Sequence, residues 1–376
     1  MLFFLRLLTC ASFLLLGSSL HATQAPLTIG VIRPASGPMK PFGDELVAGI
    51  ELAIEDFKAS SQKHALDRHK IELVFADDAG KSSMVEQAFK ELTEKNRPHV
   101  LIGSVSNSIN QKIRPLSLKA KKLTILPTSD GSHKAAKSSV NFTVQLGDFD
   151  QGLALGQFAA SNLKKKSGVI FVEKGNTRDE TIAKGIVSAF KKITKETPKI
   201  YGFEDPDKLP IGEIKISESS ALFFPGFFFQ GEVILKNLAK SKKDLTVIGS
   251  DKWDTGQLER VAGEIPQASL YFYAPFSLLD PSVKTQNFVT QYRKAHTRDP
   301  GLHAFLGYEA ATVLLEAYEK TKSNRLIPLR KYLGRTKKIT TSSGNGRFTK
   351  NNFLRRPAII LTQKPKSRRF VTKVGS

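Results

Sequence analysis

Short apolar stretches alternate, along the first part of the chain, with segments in which apolar residues recur every three or four positions. The apolar stretches predict buried strands at 27–32, 71–75, 100–102 and 123–126. The periodic segments predict amphipathic helices at 44–57, 84–92 and 109–118. Strands and helices that alternate at this spacing indicate an α/β fold with a parallel sheet covered on both faces.

A second series of the same kind begins after Gly147. Its predicted strands lie at 168–172, 221–224, 245–248 and 271–276, and its predicted helices at 151–163, 180–192, 231–239 and 257–261. Two more helices, at 283–296 and 302–318, precede terminal strands at 347–349, 358–362 and 370–374. Because no low-complexity linker separates the two series, we expect two lobes that share crossovers and enclose a cleft.

The N-terminal segment 1–22 has the features of an export signal. It carries one charge, Arg6, an apolar run at 7–16, and small residues before Ala22, after which we place the cleavage site. The apolar run is shorter than the ~18 residues that a membrane-spanning helix needs, so we expect an exported, periplasmic protein. A lipoprotein, anchored through Cys10, is the alternative.

With the signal at 1–22, the two series predict a first lobe of 23–146 plus 276–340 and a second lobe of 147–275 plus 341–376. This division follows the strand-like segments 142–146 and 271–276, where we expect the chain to pass between the lobes.

The charge of the chain is concentrated at its C-terminal end. The 376 residues include 57 Lys and Arg against 35 Asp and Glu, and 17 of these cations, with no acid, lie in 320–376. Either this segment is a solvated basic face, or it contacts an anionic membrane or envelope polymer. We expect no nucleic-acid partner, because the chain is exported and carries no nucleic-acid-binding motif.

The motifs of catalysis, cofactor binding and metal binding are missing from the sequence. Gly80-Lys81-Ser82 lacks the glycine that a phosphate-binding loop needs five positions earlier, where Phe75 stands. Neither a dinucleotide fingerprint nor a nucleophile elbow occurs, and a single cysteine excludes disulfide frameworks and tetrathiolate zinc sites. We therefore expect no cofactor, no metal and no enzymatic activity.

Polar loops at the carboxyl ends of the predicted strands are the candidate binding residues, because open α/β sheets bind ligands at that edge. In the first lobe, Ser106 and Ser108 stand before a helix, where hydroxyls and free N–H groups can bind a carboxylate. Thr128 and Asp130 follow the next strand, and the acid could receive an ammonium group. Helix capping and a simple turn are the structural alternatives for these two loops.

The second lobe has three such loops. In them Arg178 could pair with an anionic ligand group and Asp251 with a cationic one, while Phe227 and Trp253 could cover an apolar part. Three consecutive phenylalanines, 227–229, cannot all lie on one core-facing side of a helix, so we expect at least one at the cleft.

The joint order of these residues resembles a known family, the type I periplasmic solute-binding proteins, in particular the leucine/isoleucine/valine-binding receptors of ABC transporters. The resemblance is carried by Ile29-Gly30-Val31, Ser36-Gly37-Pro38, Gly43, 49–53, Asp77-Asp78, Ile102-Gly103 with its serine loop, Pro127-Thr128-Ser129, Asp150-Gln151-Gly152 and Gly307-Tyr308-Glu309-Ala310. It extends through nearly the whole chain that follows the signal.

The resemblance implies two Rossmann-like lobes joined by three hinge crossovers that close on a small ligand. It further implies that Ser106, Ser108, Thr128 and Asp130 hold the carboxylate and ammonium of the ligand, and that Phe227 and Asp251 contact it from the other lobe. Asp130 stands where the family usually has threonine, and Arg178 lies near an expected tyrosine. These departures favour an amino-acid-like ligand with an extra charged group, or another polar metabolite.

Three functions are consistent with the sequence. The first is a non-enzymatic receptor that captures a small polar solute and delivers it to an ABC transporter permease. The second is an interaction protein of the same fold, with a cleft that has lost its ligand, whose basic segment, 320–376, docks on the envelope. The third is an enzyme on a two-lobed scaffold, for which no nucleophile with a neighbouring base or metal is visible.

Overall fold

The computed structural model describes residues 26–61, 70–129, 139–240 and 244–375. The first sheet has five strands, β1 (Leu27–Arg33), β2 (Ile71–Asp77), β3 (Val100–Ile102), β4 (Leu123–Leu126) and β5 (Asn141–Thr143). They are all parallel and lie in the order β2-β1-β3-β4-β5. The predicted signal at 1–22, its cleavage site and Cys10 lie outside the described residues.

Three helices connect these strands: α1 (Lys40–Ser61), α2 (Val85–Glu91) and α3 (Asn107–Lys119). The predicted start of α1 at residue 44 is four residues too late. Pro41 lies in the first turn of the helix, where its missing N–H costs no hydrogen bond. Strands β3 and β4 are buried along their whole length, as the central strands of a sheet covered on both faces must be.

The second series forms a second sheet. Its first five strands are β6 (Ser167–Glu173), β7 (Lys199–Phe203), β8 (Ser220–Phe224), β9 (Leu245–Gly249) and β10 (Ala268–Ala274). The helices around them are α4 (Asp148–Gln157), α5 (Thr177–Thr194), α6 (Phe228–Ala239) and α7 (Gln257–Glu264). These five strands are parallel to one another, which confirms the predicted α/β fold with parallel sheets.

The chain then returns to the first sheet before it ends on the second. Helices α8 (Val283–His296), α9 (Leu302–Thr321) and α10 (Leu326–Arg335) are followed by a small antiparallel sheet of β11 (Ile339–Thr341), β12 (Gly344–Phe348) and β13 (Leu354–Arg355). The last two strands, β14 (Ala358–Lys364) and β15 (Ser367–Val374), complete the order β15-β14-β10-β9-β8-β6-β7. Both are antiparallel additions to the parallel sheet.

Two lobes follow from this path. We call the first sheet with α1–α3 and α8–α10 the first lobe, and the second sheet with α4–α7 the second lobe. Ile339, Phe348 and Leu354 of the small sheet belong to the apolar core of the first lobe, whereas Ile359 and Leu361 of β14 belong to that of the second. The chain therefore passes between the lobes three times, after β5, after β10 and after β13.

Glycines allow the closest helix contact in the first lobe. A Cβ on Gly49 of α1 would lie 1.9 Å from the carbonyl oxygen of Ala304, and one on Gly307 of α9 would lie 2.2 Å from that of Leu46. Any larger residue would push α1 and α9 apart. The contact fixes the start of α9 beside the edge of the sheet where β3 and β4 end.

Within the described residues, no helix is long and apolar enough to cross a membrane. The same part of the chain contains no group of three or more His, Cys, Asp or Glu residues arranged to hold a metal ion.

Candidate functional site

A cavity of about 540 Å³ lies between the lobes, at the carboxyl ends of the parallel strands. Loops after β3 and β4 and the start of α9 form one wall, and the turn after β9 forms the other. The residues that line it are Val105, Ser106, Asn107, Ser108, Thr128, Gln145, Asp251, Lys252, Asp254, Pro275, Leu302 and His303. Four of the seven predicted site residues, Ser106, Ser108, Thr128 and Asp251, are therefore brought together.

The serine loop, residues 103–108, forms the first-lobe wall. Ser106 directly precedes α3, has extended backbone, and makes no side-chain capping hydrogen bond to the helix. Its hydroxyl instead lies 2.9 Å from the hydroxyl of Ser108. The first amides of this 13-residue helix are thus left for a bound anion, which the positive end of the helix dipole would favour.

Asn110, which we did not predict, holds the serine loop in place. Its buried side chain accepts a hydrogen bond from the Ser104 N–H at 2.8 Å and donates to the Ser104 carbonyl at 2.7 Å. It also donates to the carbonyl of Thr128 at 2.8 Å. Asn110 therefore joins the loop after β3 to Thr128, at the end of β4. The available signal was an amide next to Ile109 on the face of α3 that the helical periodicity predicts to be buried.

Asp251 begins the short 3₁₀ turn Asp251–Trp253 that follows β9. Its N–H donates to Gln151 Oε1 of α4 at 3.2 Å, and the preceding Ser250 hydroxyl accepts from the Lys252 N–H at 3.2 Å. Burial favours the neutral acid, but Arg178 and Lys252 outweigh it and hold the pKa of Asp251 below its ordinary value. Asp251 is therefore a charged carboxylate at neutral pH.

Arg178 lies behind Asp251 and is not part of the cavity wall. Its guanidinium hydrogen-bonds the Asp251 carboxylate, and its Nε lies 3.5 Å from Asp148 Oδ1. It also donates to the carbonyl of Pro225 at 3.2 Å. Two carboxylates of its own lobe thus already compensate its charge, whereas the sequence suggested a partner in the ligand.

The aromatic residues of the second lobe divide between core and surface. Trp253, which we expected at the cleft, is fully buried between Phe224 and Phe228 and lies against Gly249. Phe227 remains 46% exposed beside Lys252, with its ring centre 5.8 Å from the ammonium nitrogen, but it is not part of the cavity wall. The last predicted site residue, Asp130, lies outside the described residues.

Known binding proteins resemble this chain over most of its length. Residues 26–200 match a family described as "Periplasmic binding protein". A protein named "Leu/Ile/Val-binding protein homolog 3", from Brucella melitensis biotype 1, is 24% identical over 363 residues, which cover 94% of this chain and 95% of that protein.

Solved structures of this architecture superpose on most of the chain. A leucine binding protein LivK from Thermotoga maritima matches with a TM-score of 0.65 and 21% identity, over 93% of this chain and 99% of that one. The branched-chain amino acid transporter substrate binding protein LivJ from Streptococcus pneumoniae, in complex with isoleucine, matches with a TM-score of 0.62 and 18% identity, again over 93% and 99%. The chain has the fold of a type I periplasmic binding protein. The two-lobed fold that the resemblance implied is thereby confirmed.

This periplasmic binding protein fold also brings residues to the cavity that the sequence analysis missed. Gln145 lies in the first crossover, and its Oε1 accepts from the Ser129 N–H at 3.3 Å. His303 lies in the first turn of α9 with its ring 4.8 Å from that of Phe42, and burial lowers its pKa, so it is neutral at pH 7. Lys252 is the cation that the second lobe contributes to the wall.

Proposed function

We propose that the chain is an exported, non-enzymatic receptor that captures a small polar, amino-acid-like solute between its lobes and delivers it to an ABC transporter. The observation that carries this proposal is the cavity itself, in which a hydroxyl- and amide-lined wall of the first lobe lies opposite the Asp251 wall of the second. The names of the relatives, which are amino-acid-binding proteins, support the same ligand class.

In this receptor the ligand carboxylate binds the serine loop. The hydroxyls of Ser106 and Ser108 and the first amides of α3 are the donors, and Thr128 completes the wall. Asp130 and Asp251 are the acids that bind the ligand's ammonium group. Phe227 acts through Lys252, which its ring contacts, and Arg178 acts through Asp251, whose charge and position it fixes.

The lobes correspond to segments 23–146 plus 276–354 and 147–275 plus 355–376. This proposed division differs from the one expected from the sequence in that it assigns the small sheet ending near Leu354 to the first lobe, which the packing of that sheet's apolar side chains in the first core supports. Closure brings the serine loop towards Asp251. A ligand drives closure only if it binds the closed form more tightly than the open form, and contacts with both walls provide this difference.

Location in the periplasm follows from the same proposal. A receptor for an ABC transporter meets its solute outside the inner membrane, and the predicted signal at 1–22 would direct the chain there.

A second partner, an anionic envelope surface, is favoured by the exposed cations of α10 and the residues after it. Lys331, Arg335, Lys337 and Lys338 are all exposed. Four other cations of 320–376 are used inside the fold: Arg355 with Asp150, Arg356 with Pro275, Arg368 with Asp254 and Lys373 with Asp280. Charge-removing variants in α10, sedimented with anionic vesicles at low and high salt, test this contact without damaging β14 and β15.

The receptor function is tested by a thermal-shift screen of residues 23–376 against amino acids, small carboxylates, amides, nucleosides and polyamines. A ligand at about 100 times its Kd stabilises the folded chain by ~2.7 kcal/mol. Combined Ser106→Ala and Ser108→Ala substitution should weaken a carboxylate ligand at least tenfold, since each lost hydrogen bond to a charged group costs ~1.5–3 kcal/mol. Ser60→Ala, at the exposed end of α1, is the matched control. A folded chain that no solute stabilises would contradict the proposal.

A further inference from the structure

Two arginines near the cavity, Arg178 and Arg368, already form ion pairs with carboxylates of the protein. Arg178 binds Asp251 and lies near Asp148. Arg368 of β15 donates to Asp254 Oδ1 at 2.6 Å and to the carbonyl of Thr255 at 3.0 Å. Neither guanidinium lines the cavity, and each would have to give up a partner before it could bind a ligand.

Lys252 differs from both arginines. It lines the cavity, and its side chain is 34% exposed. Its Nζ lies 3.8 Å from Asp251 Oδ2, which is beyond hydrogen-bond distance, and no other acceptor of the described residues hydrogen-bonds it. Asp251 is meanwhile held through its other oxygen, Oδ1, by Arg178. The ammonium group of Lys252 therefore has donors to offer to a molecule in the cavity.

The surroundings of Lys252 strengthen such a contact. The Phe227 ring lies 5.8 Å from its Nζ and replaces water on that side of the ammonium group. Attraction between opposite charges increases when water is displaced, as it would be when the lobes close. On the facing wall, the serine loop offers neutral donors for one carboxylate, so a cation in the second lobe supplies a second, separate anion-binding position.

We propose that Lys252 determines specificity by pairing with a second anionic group of the ligand, so that the solute is a small dicarboxylate, with or without an ammonium group. One carboxylate binds the serine loop and the other binds Lys252. This inference rests on the proposed receptor function and narrows its ligand class. Lys252 is then the residue that pairs with an anionic group of the ligand, whereas the sequence suggested Arg178 for this role.

The test compares ligand pairs that differ in charge but hardly in shape: L-glutamate with L-glutamine, L-aspartate with L-asparagine, and succinate with succinamate. Calorimetric titration of residues 23–376 should show at least tenfold tighter binding of one dicarboxylate than of its amide. Lys252→Gln should abolish this preference by weakening binding of the dicarboxylate at least tenfold more than binding of its amide, whereas Lys252→Arg should retain the preference. Lys199→Gln, on the exposed edge strand β7, should behave like the wild type.

The possible failures can be told apart. If the chain binds amides or monocarboxylates as tightly as dicarboxylates, or if Lys252→Gln keeps the preference, the inference about Lys252 is wrong and the receptor function stands. If the folded chain binds none of these probes and no solute of the wider screen, the receptor function falls, and the inference falls with it.

Discussion

Asp179 is an acid held inside the second lobe, next in sequence to Arg178. It is the third residue of α5, its side chain is buried, and its Oδ2 has no hydrogen-bond partner among the described residues. Burial, opposed in part by the charge of Arg178, raises the pKa of Asp179 from 3.8 to about 6. The folded protein therefore binds this proton more tightly than the unfolded chain does.

The sign of the effect on stability follows from this difference in pKa. The contribution of Asp179 is fully favourable below pH 3.8 and is lost as the pH rises through about 6. The difference between the two pKa values corresponds to about 3 kcal/mol at neutral pH. Asp179→Asn keeps the shape but cannot ionise. It should recover about 2 kcal/mol, since an acid in the first turn of a helix otherwise gains ~0.3–1 kcal/mol from the helix dipole.

Urea denaturation at pH 4, 5, 6 and 7.5, followed by circular dichroism, measures this gain. Asp179→Asn should match the wild type at pH 4 and become progressively more stable than it up to pH 7.5. Glu180→Gln, at the exposed neighbouring position in the same helical turn, should show no such divergence. A variant that is less stable than the wild type at pH 7.5, or equally stable at every pH, would refute the reasoning.

Two further substitutions test the packing and charge balance of the second lobe. Arg178→Met should lower the free energy of unfolding by about 3–5 kcal/mol at pH 7.5, because it removes the cation that is hydrogen-bonded to the Asp251 carboxylate, and adding Asp251→Asn should restore part of the loss. An effect on ligand binding alone would count against this structural role. Gly152→Ala should cost about 1–3 kcal/mol in the same assay, because its Cβ would lie 2.0 Å from a carbonyl oxygen of α5. Gly263→Ala in α7, where a Cβ meets no atom within 4 Å, should be neutral or stabilising.

The elements of the fold that could be predicted are those whose burial shows as a local pattern of apolar residues in the sequence. The central strands β3, β4 and β8 are buried throughout, and apart from Thr124 and Ser220 they consist of apolar residues. Strand β7 was missed because it lies at the edge of the sheet, where Ile200 is 54% exposed. Helix α10 was missed because only Leu329 and Leu333 of it are buried.

The candidate site was predictable to the extent that topology alone determines it. Parallel strands end at one edge, so the residues after β3, β4 and β9 had to meet if the two sheets face each other. The pairing of Arg178 with Asp251 joins positions 73 residues apart, and neither residue's neighbours in sequence indicate it. His303 lies at the cavity only because the chain returns from the second lobe to the first before it forms α9. Such contacts depend on the tertiary arrangement.

The cations of the C-terminal segment show why net charge alone was a poor guide to their role. Arg356 donates to the carbonyl of Pro275 at 3.0 Å and to the hydroxyl of Ser343 at 2.9 Å, which joins the second crossover to the third. Lys373 of β15 pairs with Asp280 at 2.7 Å and donates to the carbonyl of Ser343 at 2.8 Å. Both cations thus contact Ser343, and both also contact the segment 275–280 that follows β10. These contacts hold the second and third crossovers together near the cavity, which Pro275 lines. A hinge motion of the lobes must therefore move these crossovers together, and part of the charge that suggested an external partner instead stabilises the hinge.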